Sequence, residues 1–200
     1  MTYDQIYKNH ENAWSKEPDE LIKFALTKFM PGASFLDLGC GQGRDALFMA
    51  RNNFKVTAVD ASEVAINQLN KTIKNDGLKN LEAITADIRN FQIKKNKYDI
   101  IYGGNVLQFL KKTEAVKMIK NIKENITPDG FVILASFTTD DPRYDKSNEN
   151  RAFFEPQEML SFFKNFKIIH YFENVVIDQG HASSPAPHRH GVVRIIAQKQ

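Results

Sequence analysis

The sequence predicts an α/β fold: a doubly wound, mostly parallel sheet that ends in an antiparallel hairpin. Three observations predict it. Short apolar runs of strand length, at 34–38, 54–60, 81–85, 98–102 and 131–137, alternate with stretches of helical period. The first strand passes through three alternating glycines, Gly39, Gly41 and Gly43, straight into a helical run at 45–51. The last third abandons the alternation for two β-rich runs, 166–176 and 191–197, joined by a polar loop.

In order, residues 3–13 read as a short polar helix carrying Tyr3, Ile6 and Tyr7. A second helix starts at Glu17-Pro18-Asp19-Glu20 and runs to about Met30, with Leu21, Phe24, Ala25 and Leu26 on its apolar side. Pro31-Gly32 ends it and the first strand follows. The helix after the glycines closes at Asn52-Asn53, residues that tolerate a left-handed cap. The second strand leads to a helix from Glu63 to Lys74 that ends near Gly77. After the third and fourth strands comes a helix at 113–125. Pro128-Asp129-Gly130 then turns the chain into the fifth strand. Residues 138–155 are charged and irregular, long enough to act as a lid. Pro156 opens a helix through Phe163.

The bulk numbers bound the function. The 200 residues, 42% of them hydrophobic, suffice for one globular domain over 1–200 with a full core, the first thirty residues forming a helical cap. A formal net charge of +3 gives no strong field for nucleic acid or a membrane surface. There is no run of 18 apolar residues and no signal-peptide pattern, so a cytoplasmic protein without a membrane partner is expected, as a monomer or a homodimer. One cysteine, Cys40, cannot form an internal disulfide. It lies in the glycine loop as a small residue that fits there.

The glycine spacing separates two ligand classes. A strand-glycine-helix turn lets the backbone approach a ligand and aims free N–H groups at it. Dinucleotide dehydrogenases use G-x-G-x-x-G, which needs a glycine at position 44; Arg44 stands there, which argues against a nicotinamide oxidoreductase. Asp60 closes the second strand twenty-one positions after Gly39, where a carboxylate can accept both ribose hydroxyls of an adenosine. Without that ligand it would be a turn aspartate or a helix cap, with Ser62 beside it.

Asp37-x-Gly39-x-Gly41-x-Gly43 resembles the first motif of the class I S-adenosylmethionine methyltransferases. The likeness covers nearly the whole chain, including the closing hairpin. It implies a Rossmann-like seven-stranded sheet and a glycine loop, with Arg44 beside it, wrapped around the methionyl part of S-adenosylmethionine, whose product is S-adenosylhomocysteine. Asp60 would then hold the ribose and Ala61 lie along the adenosine, while Asp87 and Ile88 meet the adenine. Asn105, in Gly103-Gly104-Asn105-Val106-Leu107-Gln108-Phe109, would lie beside the methionyl end or else cap a helix. That segment lacks the Asn/Asp-Pro-Pro-aromatic motif of enzymes that methylate DNA bases or glutamine. The entry segment, with Tyr3, Tyr7, Trp14 and Pro18, is similar to the tellurite-resistance-type small-molecule methyltransferases. There it folds over the cofactor, which places Tyr7 and Trp14 at the pocket; ordinary packing of an amphipathic helix is the competing reading. Arg44 opposes the helix dipole, a placement explained if it meets a carboxylate or an anionic substrate, or by a local ion pair.

The C-terminal loop His181-Ala182-Ser183-Ser184-Pro185-Ala186-Pro187-His188-Arg189-His190, with Arg194 beyond, holds three of the five histidines. His188 and His190 share a side if the segment is extended. The tellurite-type enzymes carry a His/Arg cluster in this region. Three readings stay open. One makes His188, Arg189 and His190 catalytic, with His181 and Arg194 binding an oxyanion or soft nucleophile. The second is a polar loop between strands. The third is a metal held by His181, His188 and His190; with no cysteine or acidic fourth ligand in view, we assign no metal. The expected function is S-adenosylmethionine-dependent methyl transfer to a small thiol, selenium or tellurium oxyanion, or carboxylate. Its rivals are a protein or RNA acceptor, and a binding module without turnover.

Overall fold

The computed structural model describes residues 2–15, 17–181 and 184–200. Its elements, in chain order, are α1 (Tyr3–Asn9), α2 (Glu20–Leu26), β1 (Ser34–Leu38), α3 (Arg44–Arg51), β2 (Lys55–Asp60), α4 (Glu63–Asp76) and β3 (Leu81–Thr85). There follow β4 (Ile100–Gly104), a 3-10 turn (Leu107–Phe109), α5 (Lys112–Asn125), β5 (Phe131–Phe137), α6 (Glu158–Phe162), β6 (Phe166–Asp178) and β7 (His188–Lys199). The sheet has seven strands in the order β3-β2-β1-β4-β5-β7-β6, the mixed, mostly parallel sheet that the sequence predicts. Chain contacts gather in two compact units, residues 1–92 with 180–186, and residues 93–179 with 187–200.

In the first unit, β1 pairs with β2 and β2 with β3, all parallel. Every residue of Phe35–Leu38 and of 56–59 is buried, the pattern of strands covered on both faces. The covering helix α4 is bounded by its own residues. The Ser62 hydroxyl accepts from the Ala65 amide at 3.1 Å, and Gly77 closes the helix at φ +66°. Its buried face is Ala65, Ile66 and Leu69, spaced as helical period demands. Burying Ile66 and Leu69 contributes roughly 2 kcal/mol each, and Leu69→Ala would cost about 2–5 kcal/mol.

In the second unit, β4 and β5 are parallel, while β7 runs antiparallel to both β5 and β6. Ala115, Met118, Ile119 and Ile122 form the buried stripe of α5. The segment 138–155 is largely turns, tethered by a parallel bridge between Thr138 and Phe154.

Three of the element ends that differ from the sequence expectation have an identifiable cause. α1 stops at Asn9 because His10 turns extended, at φ −139° and ψ 122°. α2 stops at Leu26, where Thr27 folds its amide and hydroxyl back onto Phe24. β7 begins at His188, three residues earlier than its apolar run suggests, because pairing with β6 carries the strand through the polar residues.

Candidate functional site

Within the first unit, the chain leaves β1 at Gly39, whose amide donates to the Val59 carbonyl at 2.8 Å, and Cys40 adds a second such bond at 3.0 Å. Gly41 (φ +53°) and Gly43 (φ +83°) then take left-handed backbone that a side chain would strain. A β-carbon at Gly43 would stand 2.4 Å from Leu69 Cδ1 of α4, so that glycine also permits close helix packing. The Gly41 amide donates to Asp60 Oδ2 at 2.8 Å, and the Ser62 amide donates to Oδ1 at 2.8 Å. Loop and carboxylate are thereby one rigid unit. Burial pushes the Asp60 carboxyl above its usual range, partly offset by the amides of Ser62, Gly41 and Ala61.

The N-terminal segment lies on the same loop. The Tyr7 hydroxyl would sit 2.8 Å from a β-carbon at Gly41, and its burial pushes its pKa up. Trp14 Nε1 donates to the Tyr7 hydroxyl at 3.5 Å, and Tyr3 packs its ring on both. The edge of His181 meets Trp14, with centroids 4.9 Å apart. Residues 182 and 183 of that loop lie outside the described residues. Gln42, which sequence reasoning passed over, is the latch. Its amide nitrogen donates to the His10 carbonyl at 2.6 Å and to Gln68 Oε1 at 2.8 Å; its oxygen accepts from the Ala13 amide at 2.9 Å. Gln68 in turn donates to the Tyr7 carbonyl at 2.8 Å. A glutamine amid three glycines carries no signal of long-range contact.

Three charged or polar positions have local partners. Asp37 is buried, and the Ala46 amide in the first turn of α3 donates to it. Burial, with the charge of Asp45 added, pushes its carboxyl well above the usual range. Arg44 clasps Asp45, with Nη2 2.7 Å from Oδ2, so the cation at the helix start meets a carboxylate of its own chain. Burial, then the charges of Asp37 and Asp60, push the Cys40 thiol up, which keeps it protonated. After β3, Asp87 accepts both the amide and the guanidinium of Arg89, and that hydrogen bonding holds its carboxyl below the usual range. Ile88 beside it is buried, and Ala61 is exposed.

In the second unit, Asn105 takes left-handed backbone at φ +57° and donates its amide to the Ala135 carbonyl; the following 3-10 turn is capped by Val106, so Asn105 is a turn residue rather than a helix cap. His188 and His190 stand on one face of β7, as alternation requires, with ring centroids 4.6 Å apart. Arg189 is on the other face, opposite Ile177. Arg194 is four residues along the strand, about 13 Å from His190, with its guanidinium over the Phe172 ring.

The partners of His190 were not legible. Nδ1 lies 2.9 Å from Asp141 Oδ2 and 3.0 Å from Arg143 Nη2. Only the carboxylate can accept, and Arg143 already grips it through Nε (2.8 Å to Oδ1) and Nη2 (2.9 Å to Oδ2), so Nδ1–H donates to Asp141 and Nε2 carries the lone pair. Phe137 stacks on the imidazole at 5.0 Å, and Arg143 lies over Phe137 at 4.1 Å. Burial lowers the His190 pKa more than Asp141 raises it. Burial raises that of Asp141, but the hydrogen bonds from Arg143 and His190 outweigh it and leave the group below its usual range. An acidic residue stands close after all. Asp178, the last residue of β6, is the cross-strand partner of His188.

A family model described as "Tellurite resistance protein TehB" matches residues 7–184. The chain belongs to the TehB family. It is 32% identical over 149 residues to the probable S-adenosyl-L-methionine-dependent methyltransferase TehB of Haemophilus influenzae, covering 74% of this chain and 51% of that one. Hemagglutinin 1 of Eikenella corrodens is 26% identical over 164 residues, covering 82% of this chain and 54% of that one. The chain thus spans about half the length of these relatives. The crystal structure of TehB from Haemophilus influenzae superposes with a TM-score of 0.79 at 26% identity, covering 91% of this chain and 62% of that one. Coclaurine N-methyltransferase bound to N-methylheliamine and SAH shares the TehB-family fold at TM-score 0.69 and 16% identity, covering 98% and 80%. No helix among the described residues is long and apolar enough to cross a membrane.

Proposed function

We propose that the protein is an S-adenosylmethionine-dependent methyltransferase acting on a small soft or anionic nucleophile: a thiol, a selenium or tellurium oxyanion, or a carboxylate. The observation that carries this is the bond from the Gly41 amide to the Asp60 carboxylate, which fixes a bare-backbone loop and a ribose acceptor as one piece. Membership of the TehB family and the name of the Haemophilus relative support it. The residues fit the cofactor: a β-carbon at Gly41 would fill the space against Tyr7, and Asp60 keeps lone pairs beyond the two printed amide bonds. When bound, S-adenosylmethionine supplies an electrophilic methyl group on a sulfonium.

Asp60 then accepts the ribose hydroxyls. Gly39, Gly41 and Gly43, with Asp37 and Arg44 bracing the turn, form the bed of the methionyl part. Ala61, Asp87 and Ile88 attend the adenosine, and Tyr7 and Trp14 exclude water from above. Asn105 is the proposed contact at the methionyl end. His188 and His190 are the proposed groups that meet the acceptor, with Arg143 as the cation joined to His190 through Asp141. Arg189 is a further proposed catalytic residue, and His181 and Arg194 are proposed to bind the acceptor. Such a transfer needs positioning above all, since the methyl is already activated.

The test is calorimetry with S-adenosylhomocysteine, then transfer of labelled methyl across a panel of thiols, oxyanions and carboxylates. Wild type should bind and Asp60→Ala should not, with the fold intact by circular dichroism. Equal binding by both would remove the ribose role. Binding without transfer to any panel member would make the chain a binding module, and transfer to RNA or protein alone would move the acceptor class.

A further inference from the structure

We propose that Asp178, His188 and His190 form a site for a divalent transition-metal ion of the zinc type. The backbone brings them together. Asp178 and His188 are direct partners across the β6–β7 ladder, and His190 lies two residues on, opposite Val176. Cross-strand neighbours on one face have β-carbons about 5 Å apart, so three such residues converge without any special loop.

Their chemistry matches their placement. Each offers one ligand atom, and these atoms lie within 4.8 Å of one another. Around a tetrahedral ion with bonds of roughly 2.1 Å, ligand atoms stand about 3.4 Å apart, a gap that side-chain rotation closes. Two imidazole nitrogens and one carboxylate oxygen select zinc or its first-row neighbours over magnesium and calcium, which take oxygen alone.

The surroundings have the form that metal-bound histidine requires. Asp141 accepts Nδ1–H of His190 at 2.9 Å, which fixes the tautomer with Nε2 as the donor atom. Arg143 holds Asp141 with two bonds, and Phe137 stacks on the ring, so orientation is set before any ion arrives. Asp178 and His188 are half-buried and His190 is buried, unlike the fully exposed carboxylate groups that gather on many surfaces.

With these three ligands bound, the fourth position of a tetrahedral ion can take a small molecule, as in zinc sites that act on one. A thiolate or oxyanion acceptor would fill it, which names how the soft atom is held. That link rests on the proposed methyl transfer, whereas ion uptake does not.

The experiment uses the full chain, free of any affinity tag and stripped with a chelator. Zinc is titrated by calorimetry, and cobalt(II) is followed by its visible absorption. One ion per chain is expected, with a dissociation constant at or below about a micromolar. Asp178→Asn, nearly isosteric, and His188→Ala should each weaken binding by about 100-fold or more, and Asp141→Asn by about 10–100-fold through loss of orientation. His170→Ala, elsewhere on β6, should bind as wild type does. Circular dichroism of each variant confirms that it is folded. Zinc uptake no tighter in wild type than in Asp178→Asn, or no cobalt spectrum, overturns the site. Failed methyl transfer with intact zinc uptake would sink only the acceptor reading.

Discussion

The Tyr7 hydroxyl stands where a side chain on Gly41 would begin, 2.8 Å from its ideal β-carbon. Gly41 is also held at φ +53°. Gly41→Ala therefore meets both backbone strain and a collision. We expect a stability loss of about 1–2 kcal/mol in denaturant unfolding. Affinity for S-adenosylhomocysteine should fall about tenfold or more, since the loop, Asp60 and Tyr7 shift together. Unchanged affinity would show that this contact does not shape the pocket.

Gln42 fastens the segment that follows α1, at His10 and Ala13, to the glycine loop. Gln42→Ala removes bonds to His10, Ala13 and Gln68 at once. Each is worth about 1 kcal/mol net. Hydrogen exchange and limited proteolysis should speed up across residues 3–15, while β1 and β2 keep their protection. Uniform loosening of the whole chain would argue against a local latch.

The proposed ribose role of Asp60 predicts a pH dependence of cofactor affinity. Its carboxyl lies above the usual value near 3.9, because of burial. Ribose hydroxyls need the charged form as acceptor. Affinity for S-adenosylhomocysteine should therefore decline as pH is lowered from neutrality towards about 3.9, beginning above the range where an ordinary aspartate protonates. Asp60→Asn should bind weakly and without that slope. A flat wild-type profile over the range would remove the carboxylate from the ribose.

Asp37 gives stability a pH dependence of opposite sense to that of a salt-bridged carboxylate. Its folded pKa is raised well above the unfolded value, so between the two the native state binds more protons. Stability must then fall as pH rises through that window, by up to about 1.4 kcal/mol per pH unit. Asp37→Asn, which can still accept from Ala46, lacks the slope. Its stability relative to wild type should improve from pH 5 to pH 8 in urea unfolding, and a constant difference would show that Asp37 is not the group responsible.

What could be read from the chain was whatever local physics writes locally. The alternating glycines and the aspartate ending β2 each follow from neighbours a few residues away, and they were legible. Asp141 was not, because its partner His190 is 49 positions distant and no period links them. Asp178 was hidden for a related reason: the register of β6 on β7 is set by apolar pairs further down, such as Tyr171 with Ile195. The same register drew His188 and His190 out of the expected loop and into a strand. Arg44 was legible as a cation needing a negative partner, and the partner is the local one, the next residue.

β7 lies between β5 and β6, yet of the three it is the last to be synthesised. Until it leaves the ribosome, β5 lacks the strand that pairs beside it and β6 lacks the strand it pairs with. A nascent chain halted before residue 188 therefore exposes two open ladders of amides and carbonyls, which is where intermolecular pairing starts. Docking of β7 thus closes both ladders at once, and soluble yield depends on that step as well as on the stability of the finished sheet.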